Sequence, residues 1–454
     1  MTALLWFRRD LRLADHPALV AAVASGEPVV ALFVADPHLR SPSGAPRLAF
    51  LSRCLHALDT SIGGNLVVRD GDPTDVAAAV ADEVGAAAVY ASSDFGPYGR
   101  QRDDAVEQAL AAAGRRLVRV GSPYAVDPGT VLKGDGGPFQ VFTPFYRAWQ
   151  ARSRSRPVPS PGGIRWAEGV ASDGILPEPE IAATLPAAGE AAALARLEDF
   201  LAGAAPTYDT RRDEPASDAT TRLSPYLKYG CIHPRQILDR LDRSKAHEKL
   251  RSEVAWREFY ADVLWHRPDS ARRSLQPAMA DMRLDTGPTA DEHFDAWAAG
   301  RTGYPLVDAG MRQLLGEAWV HNRIRLVVAS FLVKDLHVDW TRGARWFLQH
   351  LVDGDLASNN HGWQWVAGTG TDAAPYFRIF NPTIQAKQHD PDAAYIRRWV
   401  PELAELVAPQ VFEPWKIPDG PPNGYPTPVV DHHEERDEAL ARYAEVRREG
   451  PGGR

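Results

Sequence analysis

Cysteine is nearly absent from this chain. Cys54 and Cys231 are the only two in 454 residues, so disulfides are no part of the design and a reducing cytoplasm is the expected setting. No stretch reaches the eighteen or so consecutive apolar residues of a membrane span. In LLWFRRDLR the arginines follow the apolar run, the reverse of a secretory signal. No segment repeats and none is of low complexity. A surplus of positive charge is also missing: 51 Lys and Arg against 59 Asp and Glu leave a net charge of −8, which argues against wholesale wrapping of nucleic acid but allows a local basic patch. No G-x-G-x-x-G follows the first strand-like run, which argues against a standard dinucleotide site there. No metal site is expected.

What is present suits a large globular chain. Hydrophobic residues make up 44% and charged residues 24%, and the length allows two or three domains. Thirteen tryptophans are many, and several stand beside charges. Over residues 1–125, compact apolar runs at Leu4–Phe7, Val29–Val34, Leu66–Val68, Ala87–Tyr90 and Leu117–Val120 alternate with alanine-rich helical stretches such as Thr74–Val84 and Asp103–Ala113. That alternation predicts an α/β domain with a doubly wound parallel sheet. Ligands of such sheets sit beyond the carboxyl ends of the strands, where Arg8, Arg9, Asp10, Asp36 and Asp94 fall. Residues 126–190 are rich in Pro, Gly and Ser and read as a connection, with one short helix in FTPFYRAWQAR. Residues 191–454 read as all-α, with caps at Ser217, Ser224 and Asp291 and a charged final helix that frays at its end.

Polar chemistry concentrates between Trp319 and Asn381. There WVHNRIRLVVASFLVKDLHVDW gives an apolar-periodic helix interrupted by Asn322, Arg323, Arg325, Lys334 and Asp335. LVDGDLASNNHGWQW then packs Asp353, Asp355, Asn359, Asn360, His361, Trp363, Gln364 and Trp365 into a short segment. Groups of this kind among apolar residues need partners. A structural salt bridge and core tryptophans would supply them; so would a cavity for a flat, polar-edged cofactor. Arg325, within an apolar helix, calls for a carboxylate, and Asp353 or Asp355 can provide it. Thr220, Thr221 and Ser224 surround a helix start, where hydroxyls serve as caps or form an anion site. Glu253, Trp256 and Arg257 share one helix face, as a surface ion pair beside a core indole or as something more.

The runs NRIRLVVASFLVKDL, DGDLASNN, GWQW and TGYPLVDAGMRQL, with LLWFRRDLRLADHPAL at the start, resemble signatures of the photolyase/cryptochrome family. The likeness extends to about Trp415. It implies that the all-α part is an FAD-binding domain and that the activity is light-driven repair of cyclobutane pyrimidine dimers in UV-damaged DNA. By this resemblance Arg325 and Asp353 pair beside the isoalloxazine ring, Asp355 meets its polar edge and Asn359 faces N5. Tyr208, Thr220, Thr221, Leu223, Ser224 and Arg257 hold the phosphate and ribitol, and Asn322 is counted with both cofactor and lesion. Glu253 hydrogen-bonds the dimer while Trp256 and Trp365 wall it. Arg212, Arg323 and Lys387 take its phosphates, which makes binding salt-dependent. Trp363 and Trp340 match two members of an electron-transfer chain.

In the α/β part, Arg47, Asp94 and Lys228, with PYGR at 97–100, resemble a site for an 8-hydroxy-5-deazaflavin antenna; folate and FMN are alternatives. Three positions depart from the pattern. Leu326 stands where methionine is usual, and Gly96 replaces an acid of the antenna site. Gly287 replaces the outermost tryptophan, which leaves either Trp297 or Trp319 as an outlet or photoreduction impaired. Asn322 and Leu326 also replace the histidines of the (6-4) branch. The expected protein is a cytoplasmic monomer without an obligate protein partner. Its rivals are a cryptochrome-type photoreceptor without repair and a DNA-binding module with a dead flavin pocket.

Overall fold

The computed structural model describes residues 2–372 and 378–449. Residues 373–377, inside the polar stretch, and 450–454, the end expected to fray, lie outside the described residues. The chain forms two compact units. One comprises Met1–Ile181, Leu185–Pro206 and Thr221–Pro268; the other comprises Ala182–Thr184, Thr207–Thr220 and Asp269–Arg454.

In the first unit β1 (Thr2–Phe7), β2 (Val29–Ala35), β3 (Leu66–Asp70), β4 (Ala86–Ala91) and β5 (Arg116–Arg119) form a parallel sheet in the order β3-β2-β1-β4-β5. Each expected apolar run is a strand, within a residue or two at its ends. β2 is buried at all seven positions, which is why it reads as a continuous apolar run and not an alternation. The order reverses between β1 and β4, so the crevice of the sheet lies past their carboxyl ends. Charge fills it: Asp10 accepts a hydrogen bond from Ser92 Oγ at 2.6 Å and lies 3.2 Å from His16 Nε2, and Arg8 pairs with Asp103. The FTPFYRAWQAR helix is present as Phe142–Ala151.

Helix Lys245–His266 belongs to this same unit, and two of its acids hold the chain that leaves the sheet. Buried Glu258 accepts from the backbone N–H of Ala125 and Val126 at 2.6 and 3.0 Å and from Trp149 Nε1 at 2.6 Å. One turn on, Asp262 accepts from Gly129 N at 2.7 Å. Burial pushes the Glu258 carboxyl up, and its three donors oppose that rise.

The second unit is helical, and no helix among the described residues is long and apolar enough to cross a membrane. Helices Pro305–Glu317, Asn322–Lys334, Trp340–His350 and Leu356–Ala367 surround a core of Leu306, Met311, Ile324, Phe331, Phe347 and Trp363. Gly310 sets the approach of the first two, since a Cβ there would stand 2.4 Å from Ile324 and 2.8 Å from Val328. All three expected caps need correction. Ser217 starts no helix, and Asp291 lies in the first turn of helix Pro288–Ala298, whose N-cap is Gly287. Ser224 opens helix Ser224–Tyr229 as its first residue, with Leu223 as N-cap. Gln313, Asn360, His361 and Gln364 are buried polar groups with partners, as the density of amides in this region required.

Candidate functional site

In the helical unit, Arg325 projects from the first turn of helix Asn322–Lys334. Its Nη2 meets Asp353 Oδ2 at 2.9 Å and Oδ1 at 3.2 Å, and its Nε donates to Val320 O at 2.8 Å. Of the two candidate carboxylates, Asp353 is therefore the partner. Asp355 instead caps helix Leu356–Ala367, accepting from Ser358 N at 3.1 Å, and stays half-buried. One turn on, half-buried Asn359 donates from Nδ2 to Ala344 O at 3.0 Å and to Asn360 Oδ1 at 2.8 Å. With both amide hydrogens engaged, its Oδ1 is left to act as an acceptor.

Three residues beyond the expected set fix this helix. Asn360 donates to Ala271 O at 2.6 Å, Gln364 donates to Ser270 O at 2.7 Å, and His361 shares a 2.8 Å hydrogen bond with Ser270 Oγ. Burial lowers the His361 pKa to about 4, so the ring is neutral at pH 7. The sequence marked these residues as needing partners but gave no sign of which segment supplied them.

The same unit carries a cleft of about 460 Å³ lined by Asp213, Arg323, Phe380, Asn381, Gln385 and His389. Arg323 Nη2 lies 3.0 Å from Asp213 Oδ2. Burial raises the Asp213 pKa, but the bond to Arg323 outweighs it and holds the carboxyl low. Lys387, exposed, pairs with Glu413 at 2.7 Å. Asn322 is exposed at the head of its helix, Arg212 and Thr220 are half-buried, and Tyr208 is buried. Trp365 donates from Nε1 to Asp372 O at 3.1 Å. Trp340 and Trp363 are both in the core.

In the α/β unit, Arg257 links two segments. It donates to Pro123 O at 3.1 Å and Leu227 O at 3.4 Å, and its guanidinium lies 4.7 Å from the ring centre of Tyr124. Thr221 accepts from Leu223 N at 3.3 Å through its hydroxyl and from Arg196 Nε at 2.9 Å through its carbonyl. Leu223 is buried and Ser224 exposed. Glu253 faces Lys249 at 3.4 Å. Trp256 stacks on Phe142 at 3.8 Å with planes 8° apart, so the helix inside the connection supports the indole that the resemblance assigned to the lesion.

The three antenna candidates occupy the same unit. Tyr229 Oη donates to Arg47 O at 2.9 Å, which ties helix Ala45–Ser61 to the helix carrying Lys228. Asp94 pairs with Arg102 at 3.1 Å and accepts from Gly96 N at 3.1 Å. Burial pushes its pKa up, but Arg102, Arg9 and Arg8 bring it down to about 2. The glycine of PYGR has a specific role: a Cβ on Gly99 would sit 2.2 Å from the Asp94 carboxyl carbon. Arg102 was missed from sequence. It lies one turn past that glycine, and only the fold reveals its pairs with Asp94 and Asp103.

Comparison with known proteins identifies the family. A family described as the FAD binding domain of DNA photolyase matches residues 250–445, and one described as DNA photolyase matches residues 3–162. The deoxyribodipyrimidine photo-lyase of Streptomyces griseus is 42% identical, over 98% of this chain and 99% of that protein. The crystal structure of a bacterial class III photolyase from Agrobacterium tumefaciens aligns with a TM-score of 0.92 at 36% identity, covering 98% of each chain. A cryptochrome from Synechocystis sp. PCC6803 aligns at 0.88 and 28% identity, covering 97% of this chain and 98% of that one. An α/β unit, a helical unit and an FAD-binding signature define a flavoprotein. The chain belongs to the DNA photolyase family.

Proposed function

We propose that this protein is a deoxyribodipyrimidine photo-lyase that splits cyclobutane pyrimidine dimers in DNA under blue light. The observation that carries the reading is the arrangement around Arg325: a carboxylate-paired guanidinium, a capping Asp355 and an Asn359 limited to accepting. These groups suit reduced FAD. A fixed cation complements an electron-rich ring, and an accepting amide suits a ring nitrogen that carries hydrogen. FAD held there, once reduced, would supply the light-driven one-electron chemistry that opens the dimer.

The protein's own residues supply grip and electrostatics. Asp353 keeps Arg325 in place, and Asn359 Oδ1 holds the N5 hydrogen. Tyr208, Thr220, Thr221, Leu223, Ser224 and Arg257 hold the phosphate and ribitol. Glu253 hydrogen-bonds the dimer and gains strength as negative charge develops there. Trp256, Trp365 and Asn322 contact the bases. Arg212, Arg323 and Lys387 take phosphates, with Arg323 and Lys387 exchanging Asp213 and Glu413 for them. On a chain of net charge −8 such contacts give local, salt-sensitive docking. Arg47, Asp94 and Lys228 bind an antenna, 8-hydroxy-5-deazaflavin in this reading. The protein acts as a cytoplasmic monomer.

An absorption spectrum of the purified protein should show flavin and antenna together, with folate or FMN as the other readable outcomes for the second band. Dimer-containing oligonucleotides, illuminated with the reduced protein, should lose their dimers. Flavin present without light-dependent repair would identify a cryptochrome-type receptor instead, and a colourless protein unable to take up FAD would refute both readings.

A further inference from the structure

We propose that photoreduction of this protein draws its electron along Trp363, Trp297 and Trp346, a route that stands in for the outermost tryptophan missing at Gly287. This rests on the resemblance that counts Trp363 in an electron-transfer chain to the flavin. Gly287 is the N-cap of helix Pro288–Ala298 with φ 86° and ψ −171°, a backbone region essentially reserved for glycine. The same helix delivers Trp297, which is fully buried and anchored by Nε1 donating to Val328 O at 3.0 Å.

Trp297 meets Trp363 edge to face, with centroids 6.1 Å apart and planes at 72°, a favoured aromatic arrangement. Phe347 touches both rings, at 6.1 Å from Trp297 and 5.1 Å from Trp363. On the far side Phe294 lies 5.6 Å from Trp297 and 5.9 Å from Trp346. Trp346 is half-buried at the edge of the core and stacks on His350 at 4.0 Å. Aromatic contact is thus continuous from Trp363 to the border of the unit. Trp340 packs in the same core.

Chemistry picks the stopping points. Indoles are oxidised more easily than phenyl rings, so the tryptophans carry the hole and Phe294 and Phe347 bridge it. The Arg342 guanidinium, 4.3 Å from the Phe294 ring centre, disfavours positive charge on that bridge, and Asp291, 2.8 Å from Arg342, limits its reach. The Trp346 Nε1 hydrogen is buried and has no protein acceptor among the described residues, so oxidised Trp346 keeps its proton as a radical cation. The electrons balance. Trp363 gives one to the oxidised, photo-excited flavin, Trp297 refills Trp363, and Trp346 refills Trp297. An external thiol refills Trp346, losing one electron and releasing one proton to solvent, and two such thiyl radicals couple to a disulfide.

The test illuminates oxidised, FAD-loaded protein anaerobically with dithiothreitol and follows bleaching of the flavin. Trp297→Phe and Trp346→Phe should each slow photoreduction about tenfold, and Trp346→Tyr should recover much of the rate, because phenol can be oxidised and benzene cannot. Transient absorption should show a tryptophan radical cation whose lifetime falls in both Phe variants; a merely structural role would leave that signal unchanged. Trp346 lies at the edge of the core, so its variants read out even if Trp297→Phe disturbs folding. Photoreduction of both Phe variants within about twofold of the parent, or none in the parent, overturns the route. Repair by dithionite-reduced protein should be normal in every variant; its failure in the parent would condemn the repair reading and not the route.

Discussion

The Arg325–Asp353 pair should respond unequally to removal of its two partners. The Asp353 side chain is 3% exposed and that of Arg325 is 26%. Arg325→Met strands a carboxylate that cannot reach water, and losing one partner of a buried pair costs about 3–5 kcal/mol. Asp353→Asn leaves a guanidinium that can turn toward solvent and still meet a neutral amide oxygen, so the loss is that of one hydrogen bond with partial desolvation, about 1–2 kcal/mol. For a unit of this size each kcal/mol moves the melting temperature by roughly 2–4 °C, so the two variants should be several degrees apart. Thermal unfolding followed by circular dichroism on flavin-free protein isolates this from cofactor linkage, which would add stability to whichever variant binds better. The double variant Arg325→Met/Asp353→Asn should be more stable than Arg325→Met alone, since it removes the stranded charge. Equal melting temperatures for the two single variants, or Asp353→Asn the less stable, would refute the assignment of Asp353 as the buried member.

The other predictions concern separate sites. Glu253→Ala should lower the quantum yield of repair with the flavin content unchanged, and Glu253→Gln should restore part of it; an unchanged yield removes Glu253 from the mechanism. Gly99→Ala should force Asp94 out of position, because its new methyl would lie 2.2–2.6 Å from that carboxyl group; the antenna band should weaken relative to flavin. His361 titrates near pH 4 in the folded protein, below its ordinary 6.5. The unfolded chain then binds more protons between those values, so stability falls as pH drops from 6.5 toward 4, by up to about 3 kcal/mol. His361→Gln should flatten that part of the pH profile in urea titrations. Gly287→Trp should not restore the missing relay: the residue would be held at φ 86°, costing about 1–3 kcal/mol, and photoreduction should be no faster than in the parent.

The strands of the sheet were legible because burial on both faces leaves no choice but apolar side chains, and β1 and β2 show this residue by residue. The need for partners around Arg325 was legible too, because charge inside an apolar period is costly wherever it occurs. What stayed hidden were the pairings that only a fold can make. Glu258 and Asp262 sit one turn apart and read as ordinary helix acids, yet they receive the backbone N–H groups of residues far away in the chain. Nothing in a helical period distinguishes an acid that meets water from one that meets a peptide group. The two cysteines were read only as too few for a disulfide framework, and they lie with sulfurs 3.5 Å apart, both buried. Gly287 shows the same limit from the other side. As a letter it is a missing tryptophan; as a backbone it is the left-handed cap that starts the helix carrying Trp297. In the proposed route, the position that lacks the outer indole is thus also the cap of the helix that delivers Trp297.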